Sequence, residues 1–401
     1  MLSSTLMFTF ALAELIRLPS FSLGFLIQNS VVRPSRTSRA FWTWQSAFAS
    51  SVEHWATETD HEEESDFSLI RAPLKYVGPY PCLGVRFPDL ATTAQRQRNE
   101  SGVTLDFVLD TAANTNTINA QVAQELSLNV TGQALPGMGS AGPIQGDLPT
   151  YYLGDMQLEG LGRDIFMQNV TASALPVASP ATAGLLSLAF FQSIGGGIDF
   201  DWRGDVESGV PPSISFYAAE AIANATRERV CVHMDRIPIT QLPSVEIEIN
   251  GHVFPALLDT GSPVTVLNAK AARVAGVETV VPNDSQTRSR NPLAALSGRF
   301  QQAQAASRGQ VLSIFGMGGK RVNLIQSADK VSLRLPTNER EELVDFGDQS
   351  VYVGDLPGLA ALQGLGVDAP PAVVLGMDVL RSKRRMFFRP LANEVWFEHH
   401  H

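Results

Sequence analysis

Phe107-Val108-Leu109-Asp110-Thr111-Ala112 and Ala256-Leu257-Leu258-Asp259-Thr260-Gly261 are near copies of one another, 149 residues apart. Each is an apolar run ending in Asp-Thr-(Gly/Ala), and each continues to an apolar-then-Asn pair, Ile118-Asn119 or Leu267-Asn268. The interval is a plausible lobe length, so two half-molecules can bring one carboxylate each to a shared seam. Two carboxylates about 3 Å apart cannot both ionise in a partly dry site, because like charges repel. One Asp then keeps a proton while the other does not, which yields a general acid and a general base from one residue type.

The repeat extends outward from these loops. One half opens with Cys82-Leu83-Gly84-Val85-Arg86-Phe87, the other with Val245-Glu246-Ile247-Glu248-Ile249-Asn250-Gly251. The latter alternates apolar and acidic residues as a half-buried strand does, and Asn250-Gly251 is a hairpin turn. Both halves reach a glycine-rich tip, Gly137-Met138-Gly139-Ser140 or Gly316-Met317-Gly318-Gly319, and then a Tyr-containing strand with Gly-Asp. Each closes with an apolar pair and a short helix, around Leu185-Leu186-Ser187 or Val374-Leu375-Gly376, and a final strand, Gly197–Phe200 or Glu394–Phe397. The interval from Asp to tip is longer in the second half by a polar Gln/Ala/Arg/Ser-rich stretch, residues 281–310, which reads as a surface insertion.

Composition agrees with a chain made of strands and turns. Of 401 residues, 44% are apolar and 17% charged, and 32 Gly and 24 Pro accompany β-branched runs with few long amphipathic periods. A net charge of −10, with no Arg/Lys stripe interleaved with aromatics, argues against a nucleic-acid partner. Two cysteines, Cys82 and Cys231, make no disulfide framework; a single bridge between them and two free thiols both remain open. No His/Cys spacing supports a metal, and His399-His400-His401 reads as a tag remnant. The expectation is no metal and no cofactor.

Residues 1–52 hold one acidic residue, Glu14, against Arg17, Arg33, Arg36 and Arg39, and are rich in Ser, a transit-peptide composition. Ala11-Leu12-Ala13 after the apolar Leu6–Leu12 run also satisfies the small-x-small rule of a secretory signal. Ser46-Ala47-Phe48-Ala49 resembles the Ala-Phe junction of bipartite plastid presequences, and sequons at Asn99, Asn129, Asn169, Asn224 and Asn283 suit passage through the ER. The expected destination is an organelle, the plastid first, with secretion or an endomembrane lumen as the alternative. Neither apolar stretch reaches the ~18–20 residues of a membrane span, so no stable membrane insertion is expected. The acidic block that follows, residues 53–66, reads as a linker or pro-segment.

These motifs, in this order in both halves, resemble the retropepsin–pepsin aspartic peptidases over residues ~75–398. The second half is the closer match, through Ala-Leu-Leu-Asp-Thr-Gly-Ser and Val-Val-Leu-Gly-Met-Asp-Val-Leu-Arg. The resemblance implies an all-β, bilobal acid-protease fold with short helices: two homologous barrel-like lobes, residues 67–228 and 229–398, with the active site at their interface. It implies an endopeptidase whose catalytic pair is Asp110 and Asp259, holding the lytic water between them. Thr111 and Thr260 would bond across the seam, Ala112, Gly261 and Ser262 would support the loops, and Gly137, Met138 and Gly139 with Gly316, Met317 and Gly318 would form flaps. The expected partner is an extended peptide or protein substrate, and the duplication makes the chain its own dimer, hence a monomer.

Two departures stand in the first half: Ala112 where the family has Gly, and Ser187 where its apolar-apolar-Gly motif has Gly. They keep open a non-catalytic, peptidase-like protein that holds a peptide or partner in its cleft. Gly137-Met138-Gly139-Ser140-Ala141-Gly142 also fits the dinucleotide fingerprint, but Pro136 and Pro143 and the surrounding turn residues leave no strand-then-helix context for it.

Overall fold

The computed structural model describes residues 68–139, 142–160, 164, 166–175, 182–204, 209–237, 240–281, 304–315, 321–337, 343–356 and 370–398. Residues 1–52, expected to be a targeting segment, the acidic block, most of the 281–310 stretch, the second tip Gly316–Gly318 and the terminal His399–His401 lie outside the described residues.

Each Asp-Thr loop sits in the same three-strand arrangement. In lobe one, Val103–Leu109 runs parallel to Gly184–Leu186, which in turn pairs antiparallel with Thr117–Asn119. In lobe two, His252–Leu258 runs parallel to Val373–Leu375, which pairs antiparallel with Val266–Leu267. The short strands Gly184–Leu186 and Val373–Leu375 have every residue buried, as continuous apolar runs should. Lobe one closes as a barrel: Tyr80–Phe87, Val103–Leu109, Gly184–Leu186, Thr117–Asn119, Met167–Leu175 and Gly142–Leu158 follow in order, and Val85 pairs back to Leu158. Lobe two has no such closing pair among the described residues; its sheet runs on through Pro243–Ile249 to Val331–Pro336 and Leu343–Gln349. The Asn250-Gly251 turn is as read, with φ of 49° and 82° at the two residues.

The final strands do not each complete a separate lobe. Gly197–Asp201 pairs with Arg385–Arg389, which pairs with Glu394–Glu398, and Arg229–His233 and Ser213–Tyr217 extend the run on either side to Ser68–Val77. The result is one antiparallel platform drawn from both halves of the chain. Its physical basis is burial on both faces: Gly197–Asp201 and Ser213–Tyr217 have no exposed residue. Asp199 would be untenable there alone; the Arg229 guanidinium grips it with two bonds of 2.9 and 2.8 Å, and Arg385 adds another. Phe191, Phe200 and Phe388 meet edge-on beneath, joining lobe one to the platform. No helix among the described residues is long and apolar enough to cross a membrane.

Candidate active site

Asp110 and Asp259 are positioned by matching bonds. Each continues its apolar strand by one residue, donating its N–H to the neighbouring short strand: Asp110 to Leu186 O at 2.9 Å, Asp259 to Leu375 O at 3.1 Å. The chain then turns, and Ala113 and Ser262 donate back to the Asp110 and Asp259 carbonyls. Leu188 and Met377, which open the two short helices, donate at 2.8 Å to Ala113 O and Ser262 O.

The loops are locked to each other by their threonines. Thr111 N–H donates to Thr260 Oγ1 and Thr260 N–H to Thr111 Oγ1, both at 3.1 Å. Each hydroxyl then donates across the seam to the carbonyl before the opposite Asp, Thr111 to Leu258 O at 2.6 Å and Thr260 to Leu109 O at 2.7 Å. Both threonines are fully buried. Four bonds of this kind fix two loops from distant parts of the chain in one register.

Against that lock the carboxyls are nearly sealed, each Asp being 2% exposed. Ala112 N–H donates to Asp110 Oδ1 at 2.8 Å, and Gly261 N–H to Asp259 Oδ1 at 2.9 Å. A methyl built on Gly261 would come within 2.5 Å of Asp110 Cγ, so the second loop's backbone lies against the first loop's carboxyl. Burial drives Asp110 well above the usual carboxylate range, and the charge of Asp259 drives it further, while N–H donors from Ala112 and Ala113 oppose the rise. Burial pushes Asp259 up to about 7, opposed by N–H donors from Gly261 and Ser262. The two titrate as a pair that retains a proton through mildly acidic pH.

Ala112 avoids the left-handed backbone region, so its methyl carries no φ penalty, and it is packed in the main core. Ser262 does not reach Asp259 with its hydroxyl, which donates to Val264 O at 2.6 Å. Gly137, Met138 and Gly139 lie at the end of a hairpin, where Met138 pairs with Pro143 and Gly139 with Gly142. That hairpin is where the glycine fingerprint falls, with a strand on both sides and no helix opening from it, so it cannot cradle a dinucleotide. No disulfide joins Cys82 to Cys231, which removes the bridged alternative. Among the described residues no group of three or more His, Cys, Asp or Glu gathers as for a metal.

Sequence reasoning missed the residues that brace each loop from behind. In lobe two, Thr265 Oγ1 accepts from Gly376 N–H at 3.0 Å and donates to Asp378 Oδ1 at 2.7 Å, while Thr265 N–H and Val379 N–H also bind that carboxylate. Burial pushes Asp378 up to about 6, against the pull of the Thr265 and Val379 donors. In lobe one, Asn116 Oδ1 alone accepts both Ser187 N–H, at 3.0 Å, and Ser187 Oγ–H, at 3.1 Å. An acidic residue inside the apolar Val-Leu-Gly-Met-Asp-Val-Leu run was the available signal for Asp378.

A family model described as aspartyl protease matches residues 99–190, the span from just before the first Asp strand to the short helix behind it. That segment, which holds the first Asp-Thr loop, is similar to the aspartyl protease family. No curated protein matches the sequence. Among solved structures, the crystal structure of basic 7S globulin from soybean is similar at a TM-score of 0.42 and 12% identity, over 82% of this chain and 94% of that one. The likeness to aspartyl proteases rests on residues 99–190, and the two-lobed β fold on the strand pairings of the molecule itself.

Proposed function

We propose that the protein is an aspartic endopeptidase that hydrolyses peptide bonds with a water activated between Asp110 and Asp259. What supports this is the reciprocal threonine clasp, beside which Asp110 and Asp259 are both buried and the charge of Asp259 acts on Asp110. The ionised carboxylate takes a proton from the water as its oxygen attacks the scissile carbonyl carbon, and the protonated carboxyl gives its proton to the carbonyl oxygen, which becomes the second hydroxyl of a gem-diol. As the C–N bond breaks, the proton taken from the water passes to the departing amine, and a gem-diol hydroxyl returns its proton to the other carboxylate, which restores the dyad. The hairpin ending at Gly137–Gly139 closes on an extended peptide held strand-like in the cleft, with lobes 67–228 and 229–398 on either side. We place the enzyme in an organelle, the plastid first, acting as a monomer after removal of its leader.

The test is cleavage of a peptide library between about pH 3 and 7, where one shared proton is expected, with and without a pepstatin-like inhibitor. Asp110→Asn and Asp259→Asn should each lower turnover about 10³-fold while melting as the wild type does. Inhibitor-insensitive cleavage, or an Asp259→Asn variant with most of its activity, defeats the reading. Peptide binding without turnover in the wild type would make the protein a peptidase-like binding module instead.

A further inference from the structure

We propose that lobe one carries a polar specificity subsite, built on Thr117 and Ser173, that takes a neutral hydrogen-bonding side chain of the Gln or Asn kind from the peptide. The inference rests on the peptidase reading and adds the substrate class to it.

Thr117 and Ser173 are direct partners on adjacent parallel strands. Thr117 is 2% and Ser173 5% exposed, and neither hydroxyl has a hydrogen-bond partner among the described residues. A buried hydroxyl without a partner costs stability, and two on one ladder rung call for an explanation. The fold does not require them. The residue in the matching place of lobe two, pairing with Val374 as Thr117 pairs with Leu185, is the apolar Val266.

Their place on the barrel supplies the explanation. One ladder row runs Val108–Leu185–Thr117–Ser173. Val108 precedes Asp110 by two positions along a strand that Asp110 extends, so both side chains take the same face. Strands stand about 4.8 Å apart, which sets the hydroxyl pair roughly 10–15 Å from Val108 along that face. A bound peptide, whose own chain advances about 3.3 Å per residue, covers that distance in about three to five positions from the scissile bond. A third orphaned group, Asn114 Nδ2, lies in the loop between Asp110 and Thr117.

Chemistry selects the ligand. Val108 and Leu185 are apolar; the charged groups on this face are Lys75, paired with Asp106 and Glu159 at the far end of the row, and the Asp110 carboxyl beyond Val108. A carboxylate entering here would meet only net negative charge, and an ammonium would lose its water roughly 10 Å or more from any carboxylate on this face. A carboxamide offers both an acceptor and donors, which two hydroxyls can match.

The experiment uses reduced-amide peptides that cannot be cleaved, carrying Gln or its near-isostere Met at one position at a time. Calorimetry on the whole protein is expected to show, at one position, Gln binding about tenfold or more tighter than Met. In Thr117→Val/Ser173→Ala the ratio should fall to about one, with Met peptides bound as well as before. Ser173→Ala alone reads the same ratio if the double variant fails to fold. A wild-type ratio near one at every position, a variant that keeps the preference, or no binding of either peptide overturns the subsite. Because binding is read without turnover, a wild type that prefers Gln but cleaves nothing retains the subsite and loses only the peptidase assignment.

Discussion

The two lobes support equivalent loops by different chemistry. Ser187 and Gly376 hold almost the same backbone, φ −95° and ψ −179° against φ −99° and ψ −179°, and both precede the short helix that braces the Asp loop. Lobe two braces it with a buried carboxylate, Asp378, reached through Thr265; lobe one replaces both with the single neutral side chain of Asn116. Where Asp378 stands in lobe two, lobe one has Ala189, so nothing there titrates. A fold duplicated from one plan has therefore kept geometry while exchanging an ionisable brace for a neutral one. Of the two first-half departures, Ser187 falls where the brace has been rebuilt, whereas Ala112 lies in the Asp loop itself.

The largest effect should separate Gly261 from Ala112. Gly261→Ala would drive a methyl to 2.5 Å from Asp110 Cγ, and the carboxyl or the loop must move. A misplacement of about 1 Å in a catalytic group costs on the order of 10²-fold in rate, so kcat should fall by about that factor. Ala112→Gly removes a methyl already accommodated in the core and should change kcat only a few-fold. Equal losses in both variants would mean that the seam is symmetric after all.

How much of this was legible in the sequence follows from range. The Asp-Thr loops, the apolar strands before them and the Asn250-Gly251 turn are local patterns, and they read true because period-two alternation and turn chemistry act over a few residues. The platform was misread because Gly197–Asp201 and Glu394–Glu398 carry the same pattern whether they close their own lobes or join through Arg385–Arg389. Period fixes a strand's faces and leaves its neighbour open. Ser187 was visible as an oddity, but its partner Asn116 is 71 residues away, and only the fold brings the two together.

Gly376→Ala should be the next most damaging change. Its new methyl would lie 2.4 Å from Val264 O, a backbone atom that cannot swing aside, where Ser187 tolerates a whole hydroxymethyl at the matching site. Overpacking of this kind costs about 3 kcal/mol, read as a lower denaturant midpoint with an unchanged slope. A variant as stable as wild type would show that lobe two shares the slack of lobe one.

Asp378→Asn should change how stability depends on pH. The folded-state pKa of about 6 lies above the ordinary carboxylate value of about 3.9. The Asp378 contribution is therefore full below about pH 4 and is lost as pH rises through 6, while the dyad extends the decline to about 7. Removing the carboxyl should flatten the unfolding free energy between pH 4 and 6 by about 2 kcal/mol. Parallel pH profiles for variant and wild type would show that lobe two's brace does not titrate in this range.

Ser187→Gly should have the smallest effect and is the most direct test of the neutral brace. It deletes the Oγ–H donor but leaves Ser187's N–H bond to Asn116 Oδ1, so no buried group is orphaned. One lost hydrogen bond costs about 1 kcal/mol, and the added backbone freedom of glycine in the unfolded chain adds at most a similar amount. The carboxyls should keep their places, since Asp110 is held by Leu186 O and Ala112 N–H rather than by Ser187. The expected readings are a drop in melting temperature of a few degrees, an unchanged pH profile of stability, and unchanged cleavage. A shift of the cleavage optimum in this variant, with Asp110 and Asp259 intact, would show that Asn116 tunes the dyad as well as supporting the loop.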